Sequence, residues 1–413
     1  MNPARYRLVE VASPALLRAW TDLPKRLYRD CPQWVCPLDC DVEDVFRPDK
    51  NELFADGEAI RWVVQDESGE PVGRIAAFYN REKAALEAQP TGGCGFFESV
   101  DSPEVAALLF DAARDWLAAR GMEAMDGPIN FGQRRDWWGL LVEGFEYEPL
   151  YKNPYHLPYY RALFENYGFR NYFEQYSYLW RANHSEANAR IFDRSARLLA
   201  MPGYRIENID PKNLELAAER FRLIYNRAWA LFSGVKPMTH DEALALLREM
   251  RPVIDPRIIF FAYHDDEPIG FFVSVPDLNR IIGRFRGRFG LVEKLRLLWE
   301  LKVRRRSDRI FGLIFGIAPE YHGKGVESAI MAGYWHFLME QQTRYKTLEL
   351  AWIGDFNPVM NRMLEHYVGA TRYKVHVTYR YLFDRTKEFA RCPRLGIRRP
   401  APDEPKQSNS TIL

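Results

Sequence analysis

A four-residue turn written twice, 197 residues apart, constrains this chain more than any other feature. Glu70-Pro71-Val72-Gly73 recurs as Glu267-Pro268-Ile269-Gly270. Each copy follows a strand-like run, Ile60 to Val64 in the first and Ile258 to Tyr263 in the second. Each precedes another, Arg74 to Tyr79 and Phe271 to Val275. A Pro/Gly turn between β-rich runs predicts a hairpin, here present twice. A long internal period decides the architecture before any motif is read.

A second correspondence lies downstream at an offset of 200 residues. Pro158 to Gly168 contains Glu165-Asn166-Tyr167-Gly168, and Pro358 to Gly369 contains Glu365-His366-Tyr367-Val368-Gly369. Both prolines are expected just inside the start of a short helix, where a missing N–H costs nothing. Both segments lead into aromatic strands, Tyr172 to Trp180 and Val375 to Leu382.

Each half also carries a longer helical pattern. Pro103 to Arg120 opens with Ser102 as N-cap, and Glu327 to Gln342 matches it. Strands Met122 to Ile129 and Thr347 to Ile353 follow, and the order strand, helix, strand predicts a parallel pair with a crossover. The expected class is α/β (α+β), two tandem folds with a mixed central sheet flanked by helices in each. The repeat places an N-terminal domain at 1–183, a helical bridge at 184–200 and a C-terminal domain at 201–386. A flexible tail at 387–413 follows, rich in Pro, Ser and charge.

The stretch that carries chemistry is Phe311 to Ile330. Phe311 to Ile317 is apolar on both faces, as in a buried central strand. Ala318-Pro319-Glu320-Tyr321-His322-Gly323-Lys324-Gly325-Val326-Glu327-Ser328 then enters a helix. Two glycines at a helix N-terminus leave backbone N–H groups pointing outward. With the helix dipole they form a nest suited to a pyrophosphate.

This run resembles the pyrophosphate loop of the GNAT superfamily, the acyl-CoA-dependent N-acyltransferases. The family pattern is Gln/Arg-x-x-Gly-x-Gly/Ala after a strand and a Pro-Glu-Tyr lead-in. His322, Gly325 and Glu327 fall on its three positions, and only Gly325 matches strictly. The resemblance implies tandem GNAT folds with acyl-CoA or acetyl-CoA as co-substrate and no metal. The implied cofactor contacts are Ile317, His322, Gly323, Lys324, Gly325, Val326, Glu327, Ser328, Asn357 and Asn361. The backbone N–H near Ile317 is the implied oxyanion donor. The tyrosine that often serves the family as general acid falls at Leu364, leaving Tyr367 or Tyr373 as substitutes. In the first half the matching loop, Ser99-Val100-Asp101-Ser102-Pro103-Glu104, is acidic and lacks glycine, so CoA is expected only in the second.

N-acyl transfer needs a base for the attacking amine. Glu349, in the otherwise apolar run Leu348 to Ile353, is one candidate, because burial raises a carboxylate's pKa. The other reading of Glu349 is a structural partner for an arginine. Asp355 at the strand end is the second candidate base. Tyr225, Trp229 and Trp352 are expected to line the acceptor pocket, with simple core packing as the alternative for Tyr225 and Trp229. The connection Asn130 to Tyr160 is too long for a plain loop and is expected to shape the acceptor site.

Residues 280–309 form a basic insertion with eleven Lys or Arg against three Asp or Glu, a net of +8 in a chain whose total is +1. Aliphatic residues and Trp299 are interleaved. Residues 281–303 therefore read as an interfacial helix on anionic lipid, or as a core helix with a basic edge. Nucleic acid is not expected as a partner, since the aliphatic load would be wasted. The lipid reading makes the acceptor a long-chain or lipid amine, as for the bacterial GNAT-type ceramide synthases. The alternatives are a small-molecule N-acetyltransferase and a non-catalytic acyl-CoA-binding protein.

Five cysteines outside any CxxC pair predict free thiols rather than a zinc site or a disulfide frame. Residues 1–20 show no signal-peptide core, and no run of about eighteen apolar residues occurs. The expected location is cytoplasmic, peripheral on the inner face of the membrane.

Overall fold

The computed structural model describes residues 5–87, 89–229, 237–340 and 343–394, and only the backbone of Trp229 and Glu340. The strands are β1 (Tyr6–Glu10), β2 (Gly57–Asp66), β3 (Pro71–Asn80), β4 (Thr91–Ser99), β5 (Ala124–Gly127), β6 (Leu140–Glu143), β7 (Arg170–Trp180), β8 (Tyr204–Asn208), β9 (Phe260–His264), β10 (Glu267–Pro276), β11 (Arg309–Ile317), β12 (Thr347–Gly354) and β13 (Thr371–Leu382). They fall into two compact units. Of the described residues, the first takes those of 5–175, 279–297 and 374–393, and the second those of 176–278 and 298–373 with 394. β7 thus starts in the first unit and ends in the second, and β13 does the reverse.

In the first unit the strand order is β1-β2-β3-β4-β5-β13, with β6 also pairing β13. β2 and β3 form the expected hairpin, with Val64 opposite Gly73. β4 and β5 are parallel, Thr91 opposite Ala124. Helix Pro103–Ala118 makes the crossover between them, and its cap, Ser102, accepts from the Val105 N–H. This helix sits tight on the sheet: a Cβ on Gly73 would lie 2.7 Å from Val105. Leu109, Phe110, Leu117, Phe97 and Phe164 fill the core between them. Each such side chain contributes roughly 1.5–3 kcal/mol by leaving water.

Two expectations change here. Pro158 lies two residues before helix Tyr160–Tyr167, whose N-cap is Tyr159, so it shapes the approach rather than the first turn. The strand expected at 122–129 narrows to Ala124–Gly127, because the chain past Gly127 leaves the sheet. The long connection after it contains β6, which pairs with β13. That pairing satisfies backbone groups a bare loop would leave open.

In the second unit the order is β12-β11-β10-β9-β8. β11 and β12 are parallel, and helix Val326–Glu340 crosses between them. This helix buries residues on every side, including Val326, Ala329, Met331, Ala332 and Tyr334, as a helix apolar all round must. One flank lies on helix Glu186–Leu199, the expected bridge, where Phe192 meets Trp335 edge-on at 4.7 Å. A separate core gathers Phe221, Ile224, Leu247, Phe261 and Phe271.

The basic insertion is not one helix. A short helix Asn279–Ile282 and a tight turn Gly283–Phe285 come first. Arg286 and Gly287 then take left-handed backbones, which break any helix. Helix Leu291–Leu298 follows and continues into a π turn at Trp299–Val303. Ile281, Ile282, Phe285, Leu297 and Leu301 are buried, whereas Leu291 (74%) and Val292 (73%) are exposed, with Leu295 and Val303. No helix among the described residues is long and apolar enough to cross a membrane.

Candidate functional site

The site grows from where β11 and β12 part. Their ladder runs from Arg309 opposite Thr347 to Gly312 opposite Leu350. Beyond it β11 continues to Ile317 and β12 to Gly354 without pairing each other. Two irregularities mark the parting. The register of β11 on β10 shifts at Leu313, between Val273 and Ser274. Trp352, beyond the ladder on β12, has a left-handed φ of 66°. Such a conformation in a bulky residue persists only where its surroundings hold it, which is common at functional sites.

Past β11 the chain makes a tight turn at Pro319–Tyr321 and reaches the helix through Gly323 (φ 73°) and Gly325 (φ 102°). Within the turn the Tyr321, His322 and Lys324 N–H groups donate back to the Ala318, Pro319 and Tyr321 carbonyls, while the first N–H groups of the helix have no acceptor within it. A Cβ on Gly323 would meet nothing within 4 Å, so open space lies against the loop. His322 Nε2 donates to the Ile317 carbonyl at 2.9 Å and closes the turn onto the strand end. Its Nδ1 is buried with no hydrogen-bond partner among the described residues.

A cavity of about 800 Å³ opens here within the second unit. Phe315, Ile317, Val359, Met360 and Met363 give it an apolar wall. Arg194, His322, Gly323, Glu327, Arg362, His366 and Tyr367 give it a polar one. Arg194 comes from helix Glu186–Leu199 and donates to Glu327 at 2.8 Å. Among the described residues no group of three or more His, Cys, Asp or Glu is placed to hold a metal ion.

The sequence-derived candidates divide around this cavity. Ile317, His322, Gly323, Glu327 and Tyr367 line it; Tyr367 is 52% exposed. Val326 and Ser328 are buried at the helix start, and Lys324 is exposed on the loop. Asn357 and Asn361 hold the turn after β12. Asn357 caps helix Pro358–Arg362 through the Met360 N–H, and Asn361 donates to the Gly354 and Asn357 carbonyls. Asp355 lies in that same turn.

Glu349 is fully buried, 3.5 Å from Arg309, which also holds Asp277 at 2.6 Å. Tyr373 joins this cluster. Burial, and then Glu349, push its pKa well above the usual phenol value. Glu349, Asp355 and Tyr373 are not among the cavity-lining residues. Half-buried Trp352 faces Phe356 edge-on, and Tyr225 packs against Phe221 in the second core. The side chain of Trp229 lies outside the described residues.

Arg194, Phe315, Arg362, Met363 and His366 are new to the site. Arg362 and His366 sit one helical turn apart, and that spacing is visible in the sequence. Arg194 gives no local signal, because it reaches the loop from 133 residues away.

No protein-family model matches the chain. It is 28% identical over 386 residues to a bacterial ceramide synthase of Caulobacter vibrioides, covering 91% of this chain and 97% of that protein. It is 27% identical over 372 residues to Protein YghO of Escherichia coli, covering 88% and 92%. A tandem GNAT protein from the clavulanic acid biosynthesis pathway superposes on 92% of this chain and 98% of its own, with a TM-score of 0.50 at 11% identity. The chain has the GNAT fold in tandem.

Proposed function

We propose that this protein is an N-acyltransferase that moves an acyl group from acyl-CoA to a primary amine, with a long-chain or lipid-borne amine as acceptor at a membrane surface. The observation that carries the reading is the cavity at the head of helix Val326–Glu340. Its residues fit the group: the first N–H groups of the helix and open space at Gly323, with Arg194 and Arg362 as cations, suit a diphosphate. The apolar wall suits a pantetheine arm and acyl chain. Bound acyl-CoA supplies an acyl group already activated as a thioester.

The chain's own residues have the remaining work. The hydrogen bond from His322 fixes the Ile317 carbonyl, and the Ile317 N–H is our choice for oxyanion donor, since the Ala318 N–H is spent on the Ile269 carbonyl. Tyr367 is the better proton donor of the two tyrosines, since it reaches the cavity and the Tyr373 hydroxyl is buried. Glu349 and Asp355 remain the two bases to test. In the first half, Ser102 already spends its oxygen on the helix start and Pro103 has no N–H, which supports a single CoA site. We keep 1–183, 184–200, 201–386 and 387–413 as the divisions of the repeat.

Two findings support the lipid acceptor. One is the similarity to a ceramide synthase along nearly the whole chain. The other is the exposed face of Leu291, Val292 and Leu295, flanked by Lys294 and Arg296. Apolar area rimmed by cations matches an anionic leaflet.

The test is direct. Purified protein is given acyl-CoAs from acetyl to palmitoyl with small and long-chain amines, and amide and free CoA are measured by mass spectrometry. Amide from a long-chain amine is the expected result. Acetylation of small amines alone would replace the lipid reading, and no amide with any pair would refute acyl transfer.

A further inference from the structure

We infer that Arg194 binds the diphosphate of acyl-CoA directly, and that Glu327 is the positioning residue that holds it over the loop. The inference rests on the CoA reading above. It also accounts for a carboxylate where an anion would sit.

Glu327 occupies the first turn of helix Val326–Glu340, where the dipole favours a negative charge. It accepts from Arg194 Nη2 at 2.8 Å and is nearly buried. Arg194 is further held from two sides. Its guanidinium carbon lies 5.3 Å from the Tyr367 ring centre. Its backbone carbonyl lies 3.4 Å from where a Cβ on Gly325 would be, so its helix abuts the loop itself. Both Arg194 and Glu327 line the cavity with Gly323.

A guanidinium carries five N–H donors in a fixed fork. One is engaged by Glu327, and the fork can serve a carboxylate on one edge and a phosphate on another. The carboxylate then costs the anion little, because its charge is already met. The bridge helix thereby contributes to the cofactor site.

Two roles must be separated. Arg194 either binds phosphate or merely neutralises Glu327. Binding of CoA and of 3′-dephospho-CoA is measured by calorimetry for wild type, Arg194→Ala, Glu327→Gln and the double variant, with melting curves as the check on folding. We expect Arg194→Ala to weaken both ligands by at least about tenfold, the scale of a hydrogen bond to a charged group. The double variant should stay as weak, and Glu327→Gln, which keeps an acceptor for Arg194, should lose less affinity than Arg194→Ala. Should Arg194→Ala unfold, Arg194→Gln gives the same comparison. Recovery of wild-type affinity in the double variant would overturn the inference, as would an Arg194 variant that binds normally. A loss confined to CoA would move Arg194 to the 3′-phosphate and overturn the diphosphate assignment. Failure of wild type to bind either ligand would refute the CoA reading itself.

Discussion

Arg309 Nη1 lies 3.5 Å from Glu349 Oε2, deep in the second unit, while the same guanidinium holds Asp277. One cation is thus shared by two buried carboxylates. Removing it takes the shared counter-charge from both, so Arg309→Met should cost about 3–5 kcal/mol in urea unfolding. Glu349→Gln removes one of two negative charges and should cost far less. If Glu349 is the base, that variant keeps its fold and loses turnover by about a hundredfold or more. Full turnover in Glu349→Gln would leave Asp355 as the base.

Gly323 separates loop geometry from fold stability. Its φ of 73° disfavours a side chain, yet a Cβ there meets nothing. Gly323→Ala should therefore cost only about 1–2 kcal/mol of stability. Its methyl group would enter the space we assign to the diphosphate, so CoA affinity should fall by about tenfold or more. Unchanged affinity by calorimetry would argue against that assignment.

Membrane contact needs point substitutions rather than deletion of 281–303. Deletion would remove Ile281, Ile282, Phe285, Leu297 and Leu301, which are buried. Leu291→Glu with Leu295→Glu alters only the exposed face and should leave the melting temperature near wild type. Flotation with anionic vesicles should drop severalfold, and added salt should weaken wild-type binding. Equal flotation of variant and wild type would remove the membrane argument.

The first unit carries a pH signature. His156 is pushed down to about 3 by burial and then by His376, and His376 to about 3 by burial and then by Lys374. Their folded values lie below the unfolded value of 6.5. As pH falls from 6.5 towards 3, the unfolded chain takes up protons that the folded chain refuses. Each ring then removes up to about 1.4 kcal/mol of stability per pH unit. Buried Glu98 and Asp126, raised first of all by burial, act in the opposite sense but are common to any His376 variant. Urea midpoints should therefore fall less steeply between about pH 7 and pH 5 in His376→Gln than in wild type. Parallel slopes would contradict the burial argument.

Much of the fold was legible because its signals are local. The hairpins, the Ser102 cap, the helix Glu186–Leu199 and the two parallel crossovers follow from turn residues, caps and periodicity. The glycine turn ahead of helix Val326–Glu340 was legible for the same reason, since glycines, lead-in and helix are contiguous. What escaped depends on distance. The partnership of Arg194 with Glu327 spans two helices. An arginine partner was one of the two readings of Glu349, but that it is Arg309 emerges only from strand pairing. The broken insertion was misread as one helix because its apolar content outweighed Gly283, Gly287 and Gly290. The cap duty of Asn357 was hidden by its place in a familiar pattern.

Hydrogen exchange across the loop with palmitoyl-CoA added tests acyl-CoA binding in the second-half cavity most directly. Amides from about residue 318 to 330 should gain protection, with the Arg194 segment, while the Ser99–Glu104 loop of the first half stays unchanged. Saturating palmitoyl-CoA without protection in that stretch, or with protection at the first-half loop instead, would contradict a single cofactor site at the head of helix Val326–Glu340.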